Sequence, residues 1–294
     1  MTRRIIFLGL SALLLLFSRG ALRAQNSGQN LESKTQLRRE FTLPRGVGNG
    51  TLALYNLFGS VRVQGYAGRQ IVVEATKTIT APDAKTLAAG QQEAQLGFAQ
   101  HGDSVIVYLA APYDSRPHRN WRGRDEEKFI DYGYQFDFVV KVPFAMALRV
   151  STVNQGAVQV EDVSGPLRVF NVNGAIHLTN ARGTTEAFTV NGNVEASYAA
   201  APPGPSSYHT INGQIRVSYP AGLAANLHFK SMHGELFTDF PNAELLPAQV
   251  TKNQQGQGDG TVYRLTKDTA VRIGRGGPDL RFETLNGDVT ITRQ

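Results

Sequence analysis

Five side chains that are able to bind a ligand recur at one position of a short repeat, three residues after a glycine. They are Gln159, His177, Glu195, Arg216 and Phe237. Amide, imidazole, carboxylate and guanidinium groups exchange hydrogen bonds with sugars and peptides, and an aromatic ring adds a stacking surface. If alternate repeats lie on opposite sides of a flattened coil, the five side chains share one face. We therefore predict a candidate binding face for a glycan or a peptide. The plainer interpretation is a solvated face whose mixed charges discourage aggregation.

Carboxylates would be the catalytic groups if the protein cleaved glycosidic bonds. The candidates are Glu186, Glu195, Glu235 and Asp239. Such an enzyme needs two carboxyl groups on either side of one bond, so dispersed carboxylates would exclude it. We expect a protein without catalytic residues. The alternative is a carbohydrate-active enzyme in which these carboxylates lie on a β-helical frame.

Other motifs with chemical potential have structural explanations. His101-Gly102-Asp103-Ser104 is similar to a lipase serine block, but a strand follows it where that chemistry needs a helix, so we predict a hairpin turn. The glycine-rich residues 46–50 also lead into a strand, which leaves no helix N-terminus to hold a phosphate. The histidines form no His-x-x-x-His pair, and no acidic cluster has calcium-loop spacing. The sequence thus predicts neither a metal site nor a cofactor.

The elements that would position these residues follow a nine-residue repeat. Its glycines include Gly156, Gly165, Gly174, Gly183 and Gly192. The residues two and four after each glycine are mostly apolar, and alternation of period two turns them towards the interior. One unit buries too little apolar surface to fold alone, so units must stack on their neighbours. The repeat predicts a mainly β protein, a β-solenoid or stacked β-coil of about 18 residues per coil, and the interval of nine argues against a hexapeptide helix.

Asparagine-glycine pairs punctuate the repeat and are predicted to be structural turns. They are Asn173 and Gly174, Asn191 and Gly192, Asn212 and Gly213, and Asn286 and Gly287. Both residue types tolerate positive backbone angles, and stacked asparagines can also form a hydrogen-bonded ladder. Because the last repeat ends almost at the C-terminus, we expect an exposed strand edge there, guarded by Asp288, Arg293 and Gln294.

The first 40 residues predict export. Arg3 and Arg4 precede an apolar run, and a polar stretch ending at Ala24 completes the layout of a signal peptide at residues 1–24. The apolar run is shorter than the roughly 20 residues that cross a bilayer, so we expect a cleaved signal peptide. A retained membrane anchor is the alternative. Polar residues 25–40 predict a flexible leader.

The rest of the chain divides into two continuous parts. Residues 41–145 predict a β-rich part with one short helix near residues 83–95 and a charged loop at residues 113–131. The basic, aromatic and acidic groups of that loop are either a ligand patch or a solvated loop with compensating charges. Residues 146–294 predict the β-solenoid repeats.

Composition limits the classes of partner. The chain has no cysteine, so no disulfide can stabilise an exported fold. Removal of residues 1–24 leaves 26 basic and 24 acidic residues, a net charge of +2. This near-neutral balance gives no argument for nucleic acid. We expect a protein of the periplasm or cell surface that is peripheral to a membrane at most.

A distributed pattern resembles the "putative adhesin" family of bacterial envelope proteins. It consists of the predicted signal peptide, the strand Phe136–Pro143, the tandem Asn-Gly units and the closing segment Leu280–Ile291, and it covers about residues 50–294. The resemblance implies an exported protein of stacked β-strands, and the family supplies no catalytic residues. We therefore expect a non-enzymatic cell-envelope protein with adhesin-like binding or scaffolding through a β-solenoid face, its partner a glycan or an envelope protein. A purely structural periplasmic protein is the further alternative.

Overall fold

The computed structural model describes residues 30–46, 50–117, 129–247, 250–253, 262–265 and 269–294, and within them the protein is mainly β with one α-helix, α1, at Ala84–Glu93. The predicted signal peptide and residues 118–128 of the predicted charged loop lie outside the described residues. The strands are β1 Leu31–Thr42, β2 Thr51–Tyr55, β3 Val61–Tyr66, β4 Gln70–Ala81, β5 Gln95–His101, β6 Ser104–Ala111, β7 Gly133–Pro143, β8 Ala147–Ser151, β9 Val158–Glu161, β10 Leu167–Phe170, β11 Ile176–Ala181, β12 Thr185–Phe188, β13 Val194–Tyr198, β14 Ser206–Asn212, β15 Ile215–Tyr219, β16 Ala225–His233, β17 Leu236–Thr238, β18 Ala243–Leu246, β19 Val250–Asn253, β20 Val262–Leu265, β21 Thr269–Ile273, β22 Asp279–Asn286 and β23 Val289–Arg293.

Two large sheets contain all of these strands except β19 and β20, which pair with each other. The ten-stranded sheet has the order β1-β4-β7-β3-β9-β11-β13-β15-β23-β17, and the eleven-stranded sheet has the order β18-β21-β16-β22-β14-β12-β10-β8-β2-β6-β5. Pairing is parallel in the middle of both sheets and antiparallel at β1, β4, β5, β18 and β21. The apolar sides of the two sheets contribute to one continuous core.

From β8 to β17, consecutive strands alternate between the two sheets. Within each strand the burial alternates as well: Leu167 and Val169 of β10 are buried, whereas Arg168 between them is exposed. Ile176 of β11 is in register with Val158 of β9 and Val194 of β13, each 18 residues away. The spacing grows to 21 residues between β13 and β15, where the proline-containing residues 199–205 connect β13 to β14.

The C-terminal strands do not lie at the end of the molecule. β22 pairs with β14 on one side and β16 on the other, and β23 likewise lies between β15 and β17. The expectation of an exposed edge at the C-terminus was therefore wrong, because β17, not β23, is the edge strand at this end of the ten-stranded sheet. Arg293 instead donates its backbone N–H to Asp239, beyond β17, at 2.8 Å.

The N-terminal strand replaces most of the predicted flexible leader. β1 begins at Leu31 and pairs in antiparallel register with β4 along its whole length. Its inward side includes Ser33 and Thr35, so the alternation of apolar and polar residues that marks a strand is missing. These polar groups are covered by α1, whose Gln91 Nε2 donates to Ser33 Oγ at 2.6 Å.

The predicted short helix is confirmed as α1. Asp83 caps it by accepting a hydrogen bond from the backbone N–H of Thr86 at 2.9 Å. The buried Lys77 donates its Nζ to the carbonyls of Gln91 and Ala94 near the helix end, at 2.7 and 3.2 Å. Burial lowers the pKa of Lys77. Among the described residues no helix is long and apolar enough to span a membrane.

The predicted asparagine turns lie at one corner between the sheets and form an amide ladder. Asn173 donates to Asn154, Asn191 to Asn173, Asn212 to Asn191 and Asn286 to Asn212, at 2.7 to 2.8 Å. Because every rung joins neighbouring units, the ladder runs along the stack on its exposed side.

The glycines of these turns are required mainly for space, not for a positive backbone angle. Of the four predicted turn glycines only Gly287 has a positive φ, and none of the four asparagines does, so the expected reason was wrong at most of these positions. A Cβ on Gly192 would lie 2.3 Å from the carbonyl oxygen of Gly174. A Cβ on Gly213 would lie 2.1 Å from that of Gly192. Backbone is thus stacked directly on backbone at the corner.

Buried hydroxyls complete each corner. Thr189 donates to the carbonyl of Gly174, Thr210 to that of Gly192 and Thr284 to that of Gly213, at 2.8 to 3.1 Å. These donors satisfy carbonyls that would otherwise be buried without a partner. In the sequence, this contact is marked by a threonine or asparagine three residues before the glycine of the turn.

Candidate binding face

The structure brings together most of the predicted binding residues on the outer side of the ten-stranded sheet. Gln159, His177, Glu195 and Arg216 occupy one register position on the neighbouring strands β9, β11, β13 and β15. Because the strands are parallel and in register, side chains at the same position of neighbouring strands are about 4.8 Å apart. The four residues therefore form a continuous line, which we call the polar row.

Phe237 belongs to the same line but does not follow Arg216 directly. Thr290 of β23 is in register with Arg216 on one side and with Phe237 of β17 on the other. The expected succession of five residues is interrupted because the C-terminal strand is inserted there. Phe237 lies at the edge of the sheet with 57% of its surface exposed.

The outward direction of the polar row follows from the residues on either side of it. Ile176 and Leu178 flank His177 and are buried, and Val194 and Ala196 do the same for Glu195. A strand that turns both neighbours to the core must turn the residue between them to solvent.

The charges of the polar row are joined to one another. Glu195 accepts a hydrogen bond from Arg216 Nη1 at 3.2 Å, and its other oxygen lies 3.2 Å from His177 Nδ1. Arg216 also contacts Gln214. The side chains of His177, Glu195 and Arg216 each keep more than a third of their surface exposed. Ion pairs this exposed contribute about 0 to 1 kcal/mol, so a ligand can replace them at little cost.

A second row of short hydroxyl side chains runs beside the polar row, five residues after each glycine. It comprises Ser197, Ser218 and Thr292, which are in register on β13, β15 and β23, and Thr179 of β11, which lies where the register between β11 and β13 shifts. Where these short side chains adjoin His177, Glu195 and Arg216, the surface holds an open depression of about 450 Å³. The hydroxyl row was missed by the sequence analysis, although its fixed offset from the glycines is visible in the repeat.

The candidate catalytic carboxylates are placed in different parts of the molecule. Glu186 lies on β12 of the eleven-stranded sheet, where it pairs with Arg168, and Glu195 faces outward on the other sheet. Glu235 and Asp239 flank the two ends of β17, four residues apart in the chain.

Three of the histidines in the described part of the chain pair with three different carboxylates. His177 pairs with Glu195, His209 with Glu283 and His228 with Asp279, at 3.2 to 3.5 Å. In the described ranges no three histidine or carboxylate side chains are grouped as a metal site would need. Ser104 opens β6 opposite His101 of β5, as the predicted hairpin requires, and Asp103 accepts from the backbone of Arg45.

The sequence matches no protein-family model and no curated protein. Among solved structures, the chain is similar to a "putative cell adhesion protein" from Clostridium sporogenes, with a TM-score of 0.45, 8% identity, and coverage of 89% of this chain and 100% of that chain. It is also similar to a "putative adhesin" from Bacteroides fragilis, with a TM-score of 0.29, 10% identity, and coverage of 88% and 97%. A "putative lipid binding protein" from Parabacteroides distasonis has a TM-score of 0.34, 10% identity, and coverage of 88% and 96%.

Proposed function

We propose that the protein is an exported, non-enzymatic, adhesin-like binding protein of the cell envelope, built as a β-solenoid, which holds a glycan on the outer face of its ten-stranded sheet. The observation that carries this proposal is the polar row beside the hydroxyl row. His177, Glu195 and Arg216 of the polar row and the residues of the hydroxyl row line one open depression with imidazole, carboxylate, guanidinium and hydroxyl groups.

The geometry of the face suits an extended polar ligand. Hydrogen-bonding side chains follow one another at the strand spacing along the sheet, so a chain molecule can contact several of them in succession. The depression is open, which suits a polymer better than an enclosed small molecule. The placement of Glu186 and Glu195 on different sheets favours binding over glycoside hydrolysis by these two residues.

Arg216→Ala tests the binding face. We expect it to weaken binding to immobilised envelope polysaccharide about tenfold, because a charged hydrogen bond to the ligand is lost. The matched control is Arg168→Ala, which removes an arginine with a similar exposed ion pair, to Glu186, from the opposite sheet. Surface plasmon resonance would measure both, and equal losses, or no loss, would contradict the proposal.

Export and exposure are tested on cells. We expect protease treatment of intact cells to remove the protein, as followed by immunoblot with lysed cells as the reference. Protection until lysis would contradict adhesion at the surface and would favour the purely structural periplasmic alternative.

A further inference from the structure

A second concave site lies at the corner where β7 extends past β3. β7 pairs with β4 from Gly133 onward, but it pairs with β3 only from Phe138 onward. Its first residues therefore project beyond the parallel strands. Between this projection and the corner residues Phe58 and Gln155 is a cavity of about 300 Å³, which we call the corner pocket.

Aromatic rings form one side of the corner pocket. Tyr134 packs edge-on against Phe58, with ring centroids 5.2 Å apart, and Tyr132 lies beside it at 6.4 Å. Tyr113 also lines the pocket and has 41% of its surface exposed. Such rings offer apolar faces together with hydroxyl groups that need hydrogen-bond partners.

One of these hydroxyls has no partner among the described residues. Tyr134 is 93% buried, since only 7% of its surface is exposed, and its hydroxyl makes no hydrogen bond there. By contrast, the hydroxyl of Tyr132 donates to Glu93 Oε2 at 3.1 Å. A buried polar atom without a partner is costly, and it is uncommon in folded proteins. The hydroxyl is covered in the free protein, so a small movement of the ring is needed before a ligand hydroxyl in the pocket can supply the missing bond.

The other side of the corner pocket is polar, and a glycine limits how far the pocket is filled. Gln135, Gln155 and Thr80 line this side together with Glu32. A Cβ on Gly133 would come within 2.5 Å of Thr80 Oγ1. Any side chain at position 133 would therefore collide with Thr80 at this wall of the pocket. Gln155 has a φ of 62°, a left-handed conformation that is rare for a residue with a side chain.

The lining of the corner pocket gives an anionic ligand no cationic partner. None of the lining residues is a lysine or an arginine, and the one charged group, Glu32, is paired with Lys34 at 2.9 Å. What remains is a set of ring faces, amides and hydroxyls. A pyranose presents the complementary groups, an apolar face of C–H bonds and a rim of neutral hydroxyls.

We propose that the corner pocket binds one neutral sugar ring of the hexopyranose class. The pocket lies on the side of the first strands β1, β4 and β7, away from the depression at β11, β13 and β15. It is therefore a site independent of the polar row, and it stands whether or not the polar row binds a polymer.

Titration with methyl glucopyranoside, methyl galactopyranoside and methyl mannopyranoside tests this site, with binding followed by NMR and calorimetry. We expect saturable binding of at least one of them by the wild-type protein. Tyr113→Ala and Gln155→Gly should each weaken sugar binding about tenfold, because the first removes a ring contact and the second removes a hydrogen bond. Glycine is chosen at position 155 because it keeps the positive φ without strain.

Tyr134→Phe and Phe144→Ala separate binding from folding. Tyr134→Phe removes a hydroxyl that has no bond in the free protein, so we expect weaker sugar binding with no loss of stability against urea. Phe144→Ala removes a ring that is 44% exposed, close to the 41% of Tyr113, but lies outside both the corner pocket and the depression, so it should leave sugar binding unchanged. No saturation by any neutral probe, or wild-type affinity in both Tyr113→Ala and Gln155→Gly, would overturn the assignment while leaving the Arg216 test unaffected.

Discussion

Three tyrosine hydroxyls form a chain inside the core. Tyr219 donates to Tyr208 at 3.0 Å, Tyr208 donates to Tyr198 at 2.6 Å, and Tyr198 donates to Thr185. Tyr198 and Tyr219 come from one sheet and Tyr208 and Thr185 from the other, so the chain joins the two sheets. A buried polar chain of this kind stabilises the fold only while every member keeps its proton and its partner.

The first prediction concerns alkaline pH. Burial raises the pKa of Tyr198 to about 12 and raises that of Tyr208 and Tyr219 as well. In the unfolded chain a tyrosine ionises near pH 10. The stabilising contribution is thus complete below about pH 10 and is lost as the pH rises towards about 12 and beyond. We expect the free energy of unfolding in urea to fall steeply over that range.

Two variants serve as references for the alkaline transition. Tyr208→Phe should lower stability at neutral pH by about 1 to 3 kcal/mol, because it leaves Tyr219 without an acceptor, and should flatten the alkaline loss. Tyr55→Phe, at a half-buried position outside the core, should keep the wild-type pH dependence. An unfolding free energy in the wild-type protein that does not change above about pH 10 would contradict the argument.

At the scale of the elements, the corners decide how closely neighbouring strands stack. The amide ladder and the buried threonine hydroxyls connect each corner to the next, but both require the glycine backbones to lie in direct contact. The close approach of Gly192 to Gly174 leaves no room for a side chain. A residue with a Cβ must therefore push two units apart.

Gly192→Ala is the second prediction. We expect it to lower the free energy of unfolding by about 1 to 3 kcal/mol or more, because the new methyl group meets backbone that cannot move aside. Gly222→Ala is the matched control, since its Cβ would have no neighbour within 4 Å and its φ is not positive. It should change stability by no more than about 0.5 kcal/mol. Equal effects of the two substitutions in urea unfolding would contradict the stacking argument.

At the scale of the whole molecule, the C-terminal segment holds the last units together. β22 and β23 fill the space between β14–β15 and β16–β17, so they connect parts of the chain that would otherwise not touch. Phe282 of β22 shows this most clearly. Its ring is stacked between Tyr208 at 5.1 Å and Phe229 at 5.3 Å.

Phe282→Ala is the third prediction. Removing a ring that is 1% exposed should cost about 3 to 5 kcal/mol, from lost burial and the cavity left behind. Phe237→Ala, on the edge strand β17, should cost much less because more than half of that ring is exposed. A small loss in Phe282→Ala, measured by urea unfolding, would mean that β22 is not an interior strand.

The sequence by itself determined the class of the protein and the direction of its side chains. Alternation around His177 and Glu195 assigned them to the outer face, because a strand turns successive residues to opposite sides. Residues 83–95 likewise predicted α1, which Asp83 caps, because capping and helix propensity act within a few residues. These features depend on local geometry, which neighbouring residues are enough to encode.

Only the tertiary structure decided which strands lie side by side. The insertion of β23, which separates Arg216 from Phe237, and the pairing of the polar strand β1 with β4 both join segments that are far apart in the chain. The corner pocket also combines residues from β1, β4, β7 and two corners. No local pattern records such neighbours, because the pairing of distant strands depends on which arrangement of the whole chain buries the most apolar surface and satisfies the backbone hydrogen bonds.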